Sequence, residues 1–232
     1  MCSSDLAKSQ VAAEKTTDVS LTDAEKIAQA RLAANETHAE QVKAETSENS
    51  ALGNFNLAFA ALIAAYDVIG DPNSQLNSLT SAYTNMADAI NAHSATDSKT
   101  VDSATNTGLE TAETDAINTY DTAFKAFVAD LETELDARVT NQDANTLQKD
   151  LILNVKSAVS DAFDSLKGSV ESHATATKSA INAEVTADQA ETNISNAIQT
   201  AVNAYQAEAD ASAKQAEADA AKASAVHDDN NA

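Results

Sequence analysis

One proline and four glycines in 232 residues constrain this chain more than any other feature. Proline lacks a backbone donor and clashes with the preceding helical turn, and glycine carries the largest backbone entropy, so these residues are where helices stop. A chain almost without them, rich in alanine, has few reasons to leave a helix once it has entered one. Aromatic residues make up 4% and tryptophan is absent, which leaves too little bulk for a thick core. Thin seams between helices are what such side chains can fill. The expected fold is all-α: an elongated antiparallel helical bundle or coiled coil with long alanine-rich helices.

Periodicity divides the chain. Residues 1–20 read as a disordered or artefactual lead-in. Residues 21–52 read as an amphipathic helix, with Thr22 as N-cap, Glu25 closing a capping box, and a thin seam of Ala28, Leu32, Asn35, Ala39 and Val42. Gly53 opens the most apolar stretch, a bundle region over residues 53–140. There Phe55, Phe59, Leu62, Tyr66 and Ile69 alternate by four and three, the spacing of one helical face. Gly70-Asp71-Pro72-Asn73 is the strongest turn signal, and Leu76, Leu79, Tyr83, Met86 and Ile90 form the stripe that follows it, so an αα-hairpin is expected. Residues 92–108 are rich in Ser, Thr, Asp and Asn and predict a loop or frayed helix. Ile117, Tyr120, Phe124, Phe127 and Leu131 then supply a third aromatic-bearing helix.

Stepping by sevens from Ile117 meets Phe124, Leu131, Arg138, Asn145, Ile152, Val159, Leu166, His173, Ala180, Ala187, Ile194 and Ala201. Glu134, Arg138, Asn141, Asn145 and Gln148 would make a costly polar layer if this seam were one continuous helix. A turn near residues 141–145 is therefore preferred over a continuous coiled coil. One long alanine-rich helix is expected over residues 146–226, with a disordered tail at 227–232.

The chain holds 36 acids against 14 bases, a formal charge of −22, which repels phosphate backbones and anionic lipid alike. Nucleic acid is therefore not an expected partner. The excess also fits salty surroundings, where screening weakens self-repulsion. No apolar run reaches the roughly 18 to 20 residues needed to cross a bilayer, and residues 55–69 read as a buried helix rather than a transmembrane segment.

The residues that carry chemistry are scattered. His38, His93, His173 and His227 show no zinc-ligand spacing, and His93 and His173 lie near seams, where half-buried packing outweighs a pH-sensing role. Carboxylate pairs such as Asp130 with Glu134 arise by chance among so many acids. Asp67, Asp71 and Asn73 lack the glycine and terminal glutamate of a calcium loop. Glycine-rich phosphate loops and nucleophile elbows are missing from the sequence, and its glycosylation triplets are explained by chance. The expectation is no enzyme, no catalytic residue, no cofactor and no metal.

Two short stretches carry resemblances. Met1-Cys2-Ser3-Ser4-Asp5-Leu6 resembles a translated sequencing adapter. It also resembles the acylated end of a bacterial lipoprotein, but a lipobox and an apolar segment should precede such a cysteine, so the adapter reading is preferred. The stretch Leu135-Asp136-Ala137-Arg138-Val139-Thr140-Asn141-Gln142-Asp143-Ala144-Asn145-Thr146-Leu147 resembles coiled-coil segments of bacteriophage tail-fibre and other virion structural proteins. That resemblance implies an oligomeric structural part of a particle, with no catalytic residues to carry over.

The functional expectation is a structural or interaction protein that self-associates or binds another helical protein. A virion, extracellular or cell-surface setting is favoured over the cytoplasm. The alternative is an amphipathic module coating lipid or polymer surfaces through the face of residues 55–69.

Overall fold

The computed structural model describes the backbone of residues 3–67, 74–141 and 146–229, and the side chains of residues 22–67, 75–141 and 146–223. Within these residues the chain is four helices: α1 (Ser3–Asp67), α2 (Ser74–Ser94), α3 (Ser103–Thr140) and α4 (Thr146–Asp229). The helix start read at Thr22 and the change read at Gly53 both lie inside α1, so the lead-in is helical from Ser3 onward. An added Cβ at Gly53 would meet nothing within 4 Å, so this glycine serves no close approach, and a lone exposed glycine costs a helix only about 1 kcal/mol. The turn at Gly70-Asp71-Pro72-Asn73, Ile69 before it, and the last three residues of the tail lie outside the described residues.

The loop expected over residues 92–108 is shorter in the structure. α2 runs to Ser94, and α3 begins at Ser103 behind an Asp102 N-cap whose carboxylate accepts from the Thr105 N–H at 2.7 Å. Hydroxyls explain why a Ser/Thr-rich stretch stays helical. Thr107, Thr111 and Thr114 each donate to the carbonyl four residues back, at 2.8 Å, instead of competing with the helix.

The chain divides into two compact units. One is built from residues 31–184, and the other from residues 1–30 and 185–232. The larger unit is an antiparallel helical bundle. Tyr83 of α2 donates to Asn56 of α1, and further along Ser94 meets Glu48, so α2 descends as α1 rises. Lys149 pairs with Asp136, and Lys156 with Glu132 at 2.9 Å, so α4 likewise runs back along α3. Residues 134–140 and 146–148 therefore belong to two antiparallel helices and not to one continuous coiled coil. α3 ends at Thr140, where the Asn141 N–H returns to the Ala137 carbonyl. Glu134 and Arg138 remain partly exposed and pair with each other at 2.9 Å.

The core lies on a four–three seam in every helix. Phe55 meets Tyr120 edge-on at 5.2 Å, Phe59 stacks on Tyr83 at 4.3 Å, and Tyr66 lies 5.5 Å from Phe127. α4 adds Phe163, 4.8 Å from Tyr120, so the aromatic bundle extends past residue 140 and takes in the first part of α4. Of the positions met by stepping in sevens, Ile117, Phe124, Leu131, Ile152, Val159, Leu166, His173, Ala180 and Ala187 are buried, whereas Arg138, Ile194 and Ala201 are only partly buried and Asn145 lies outside the described residues.

The seam proposed for the first helix is corrected. Leu32 is 59% and Val42 46% exposed, and Ala28, Asn35 and Ala39 face out as well. The buried positions before Ala51 and Leu52 are Ala34, Gln41 and Glu48, reached from Phe55 by stepping back in sevens. Because α1 is one unbroken helix, its strongly apolar part dictates the register of the rest, and polar residues inherit the seam.

The second unit consists of the first part of α1 and the last part of α4. Ala187 is fully buried there, while Ile198 and Val202 are exposed. No described helix is long and apolar enough to cross a membrane.

Truncating a core ring while leaving its surroundings intact removes transfer energy and opens a cavity. Phe55→Ala is expected to destabilise the bundle by about 3–5 kcal/mol in urea unfolding, whereas Leu57→Ala, at a position 73% exposed, stays within about 0.5 kcal/mol of the parent.

Candidate functional site

The fifteen seam residues singled out from the sequence form the packing core rather than a reactive centre. Phe55, Phe59, Leu62, Tyr66, Leu79, Met86, Ile90, Ile117, Tyr120, Phe124, Phe127 and Leu131 are buried, Leu76 and Tyr83 are partly buried against them, and Ile69 lies outside the described residues. Burial pushes the Tyr120 hydroxyl far above the usual phenol range, so it stays neutral inside the bundle.

One layer of the bundle is different in kind. Glu48 of α1, His93 of α2, Glu113 of α3 and His173 of α4 each place a titratable side chain on the seam, and none is more than 1% exposed. The two imidazoles lie 5.0 Å apart between centroids. His93 and Glu113 form one pair, Nδ1 to Oε2 at 2.7 Å; His173 and Glu48 form the other, Nδ1 to Oε2 at 2.9 Å. Ser94 donates its hydroxyl to the second oxygen of Glu48.

Local structure explains the placements. His93 and Ser94 end α2, whose last turn favours a cationic side chain through the helix dipole. Asn106, in the first turns of α3, donates its amide to Glu110 at 2.8 Å, which turns its carbonyl oxygen toward His93 Nε2 at 3.2 Å. Both ring nitrogens of His93 thus face oxygens that accept. With Glu113 ionised, a neutral ring could donate to only one of them, and the imidazolium satisfies both. His173 differs: one N–H at Nδ1 meets Glu48, while its Nε2 has no hydrogen-bond partner, nor does the other oxygen of Glu113.

The electrostatics agree with the geometry. Burial works against the cation, but Glu113 and Asn106, with Glu48 behind them, outweigh it and hold His93 above the usual histidine range. Burial is also the main influence on Glu113 and raises it, against the pull of His93.

Just beyond this layer, residues 95–102 are tied to α1. Gln41 donates to the Thr96 carbonyl at 3.0 Å, and His38 Nδ1 lies 3.0 Å from the Ser98 hydroxyl. Among the described residues no group of three or more His, Cys, Asp or Glu side chains is arranged to hold a metal ion, because each carboxylate is turned onto its own imidazole rather than toward a shared point.

Sequence reasoning placed His93 and His173 near seams but missed both glutamates. Glu48 could have been found by stepping the Phe55 register back one heptad. Glu113 stands four residues before Ile117 on the same face, hidden among many exposed acids. His38 and Asp67 stand apart from the layer, and Asp71, Asn73 and the side chain of His227 lie outside the described residues.

In class, the chain is an all-α antiparallel helical bundle. No protein-family model matches it, and neither the curated proteins nor the solved structures provide a significant match.

Removing one member of a buried pair leaves the other charge uncompensated. Glu113→Leu is expected to cost about 3–5 kcal/mol in urea unfolding, and adding His93→Leu to it should recover part of that loss.

Proposed function

We propose that this chain is a non-enzymatic structural or interaction protein that works by self-association of its long helices, as a virion or cell-surface component. The observation that carries this reading is in the smaller unit. On α4, Ile198 and Val202 lie one turn apart on one face and are 57% and 53% exposed. In the larger unit four helices enclose the seam from all sides. The smaller unit has segments of only two, and two helices cover a seam from one side. A second copy would bring the same two segments and complete a four-helix cross-section, burying the aliphatic stripe.

Charge qualifies how that association proceeds. Asp188, Glu191, Glu208, Asp210, Glu217 and Asp219 outnumber Lys214 and Lys222 along the same part of α4, so two copies repel until salt screens them. The resemblance of residues 135–147 to phage fibre coiled coils is one of sequence only, since α3 ends at Thr140 and α4 begins at Thr146. The lipid-coating alternative loses its motivating face, since Phe55, Phe59, Leu62 and Tyr66 are turned into the bundle core.

Sedimentation velocity is expected to show a dimer or higher oligomer whose population grows with protein concentration and with salt, and Ile198→Asp combined with Val202→Asp should return it to monomer. A monomer at high concentration in high salt would overturn the reading.

A further inference from the structure

Four helices contribute one ionisable side chain each to a single buried layer, and the self-association described above makes no use of it. Around His93 the titratable and charged groups are Glu48 from α1, Glu113 from α3, with Glu110 acting through Asn106, and His173 from α4. His93 is the only one of the two buried imidazoles with an acceptor on both sides: Glu113 Oε2 at 2.7 Å and Asn106 Oδ1 at 3.2 Å. Both acceptors belong to α3, so each ring proton is a bond between α2 and α3.

We propose that the Glu48–His93–Glu113–His173 layer is a proton-operated clamp, in which doubly protonated His93 fastens the end of α2 to the start of α3 and loss of one ring proton releases that end of the bundle. Deprotonation turns one nitrogen from donor to lone pair, so either Glu113 or Asn106 is left facing it without a hydrogen. It also removes the positive charge between two buried carboxylates, Glu48 and Glu113, whose repulsion is then weakly screened. The strain falls where α2 ends, beside residues 95–102, which Gln41 and His38 tie to α1.

The direction in pH follows from proton binding. His93 is held above its ordinary range, so the folded chain binds this proton more tightly than the unfolded chain does. The stability it contributes is fully present below the ordinary histidine pKa and is lost as pH rises through the folded value. Glu113 is raised as well, and a carboxyl that binds its proton more tightly when folded also favours the fold at lower pH. One proton changes the folding equilibrium by at most about tenfold per pH unit. Surface charge acts in the same direction, because each proton lost as pH rises adds to the self-repulsion of a chain with charge −22. Salt at about 1 M shortens the screening length to about 3 Å and suppresses that surface effect while sparing the buried layer.

The clamp is tested by thermal unfolding of the full chain across neutral to alkaline pH in high salt, comparing wild type, His93→Gln and, as a control outside the layer, His38→Gln. The melting temperature of wild type and His38→Gln is expected to fall as pH rises, and that of His93→Gln to fall less steeply, because only the part carried by Glu113 remains. Superimposable pH profiles for wild type and His93→Gln would overturn the proposal. Nitrogen-15 NMR of the imidazoles in the wild-type protein decides the matter even where His93→Gln fails to fold. A His93 ring protonated at both nitrogens at about pH 7 supports the clamp, and a single-proton tautomer at that pH overturns it.

Discussion

A carboxylate inside a helical bundle has to be met by donors, and Glu48 is met from two directions at once, by Ser94 of α2 and His173 of α4. Glu113 is met by His93, which in turn reaches Asn106. These bonds are directional, unlike the contacts of leucine or alanine. They specify which helix lies beside which and at what height, because a shift of one turn would separate each acid from its partner. A bundle with little aromatic material and many interchangeable alanines gains its register from such a layer.

The rest of the larger unit is arranged around that height. On one side of the layer the seam is aromatic and aliphatic, with Phe55, Tyr120 and Phe163 in mutual contact. On the other side α4 continues its seam with Thr177 and Ala180. Side-chain size falls along the same heptad track while burial is kept. The charged layer marks the change from a core filled by rings to one filled by methyl groups, where packing alone would hold register least well.

Long helices persist through sequence that ought to break them for a local reason. Threonine and serine disfavour helix mainly by offering the backbone another hydrogen bond. Along α3 and α4 their hydroxyls bond back to the carbonyl one turn earlier, as Thr133, Thr175 and Thr192 do at 2.9 Å. The side chain is satisfied within the helix it decorates, so the helix does not end there.

The helical class, the aromatic stripes of α1, α2 and α3 and the heptad track through α4 were legible from residue types alone, because propensity and period are local and four–three spacing survives any arrangement of neighbours. The seam of the first part of α1 was misread. Leu32 and Val42 look like core residues to a local pattern, yet the register carried back from Phe55 through an unbroken helix puts Gln41 and Glu48 inside instead. Glu113 was equally invisible among 36 acids. Only the tertiary structure decided which acids were buried, since His173 and Glu48 stand 125 residues apart in sequence and their 2.9 Å contact exists only when four helices close around one layer.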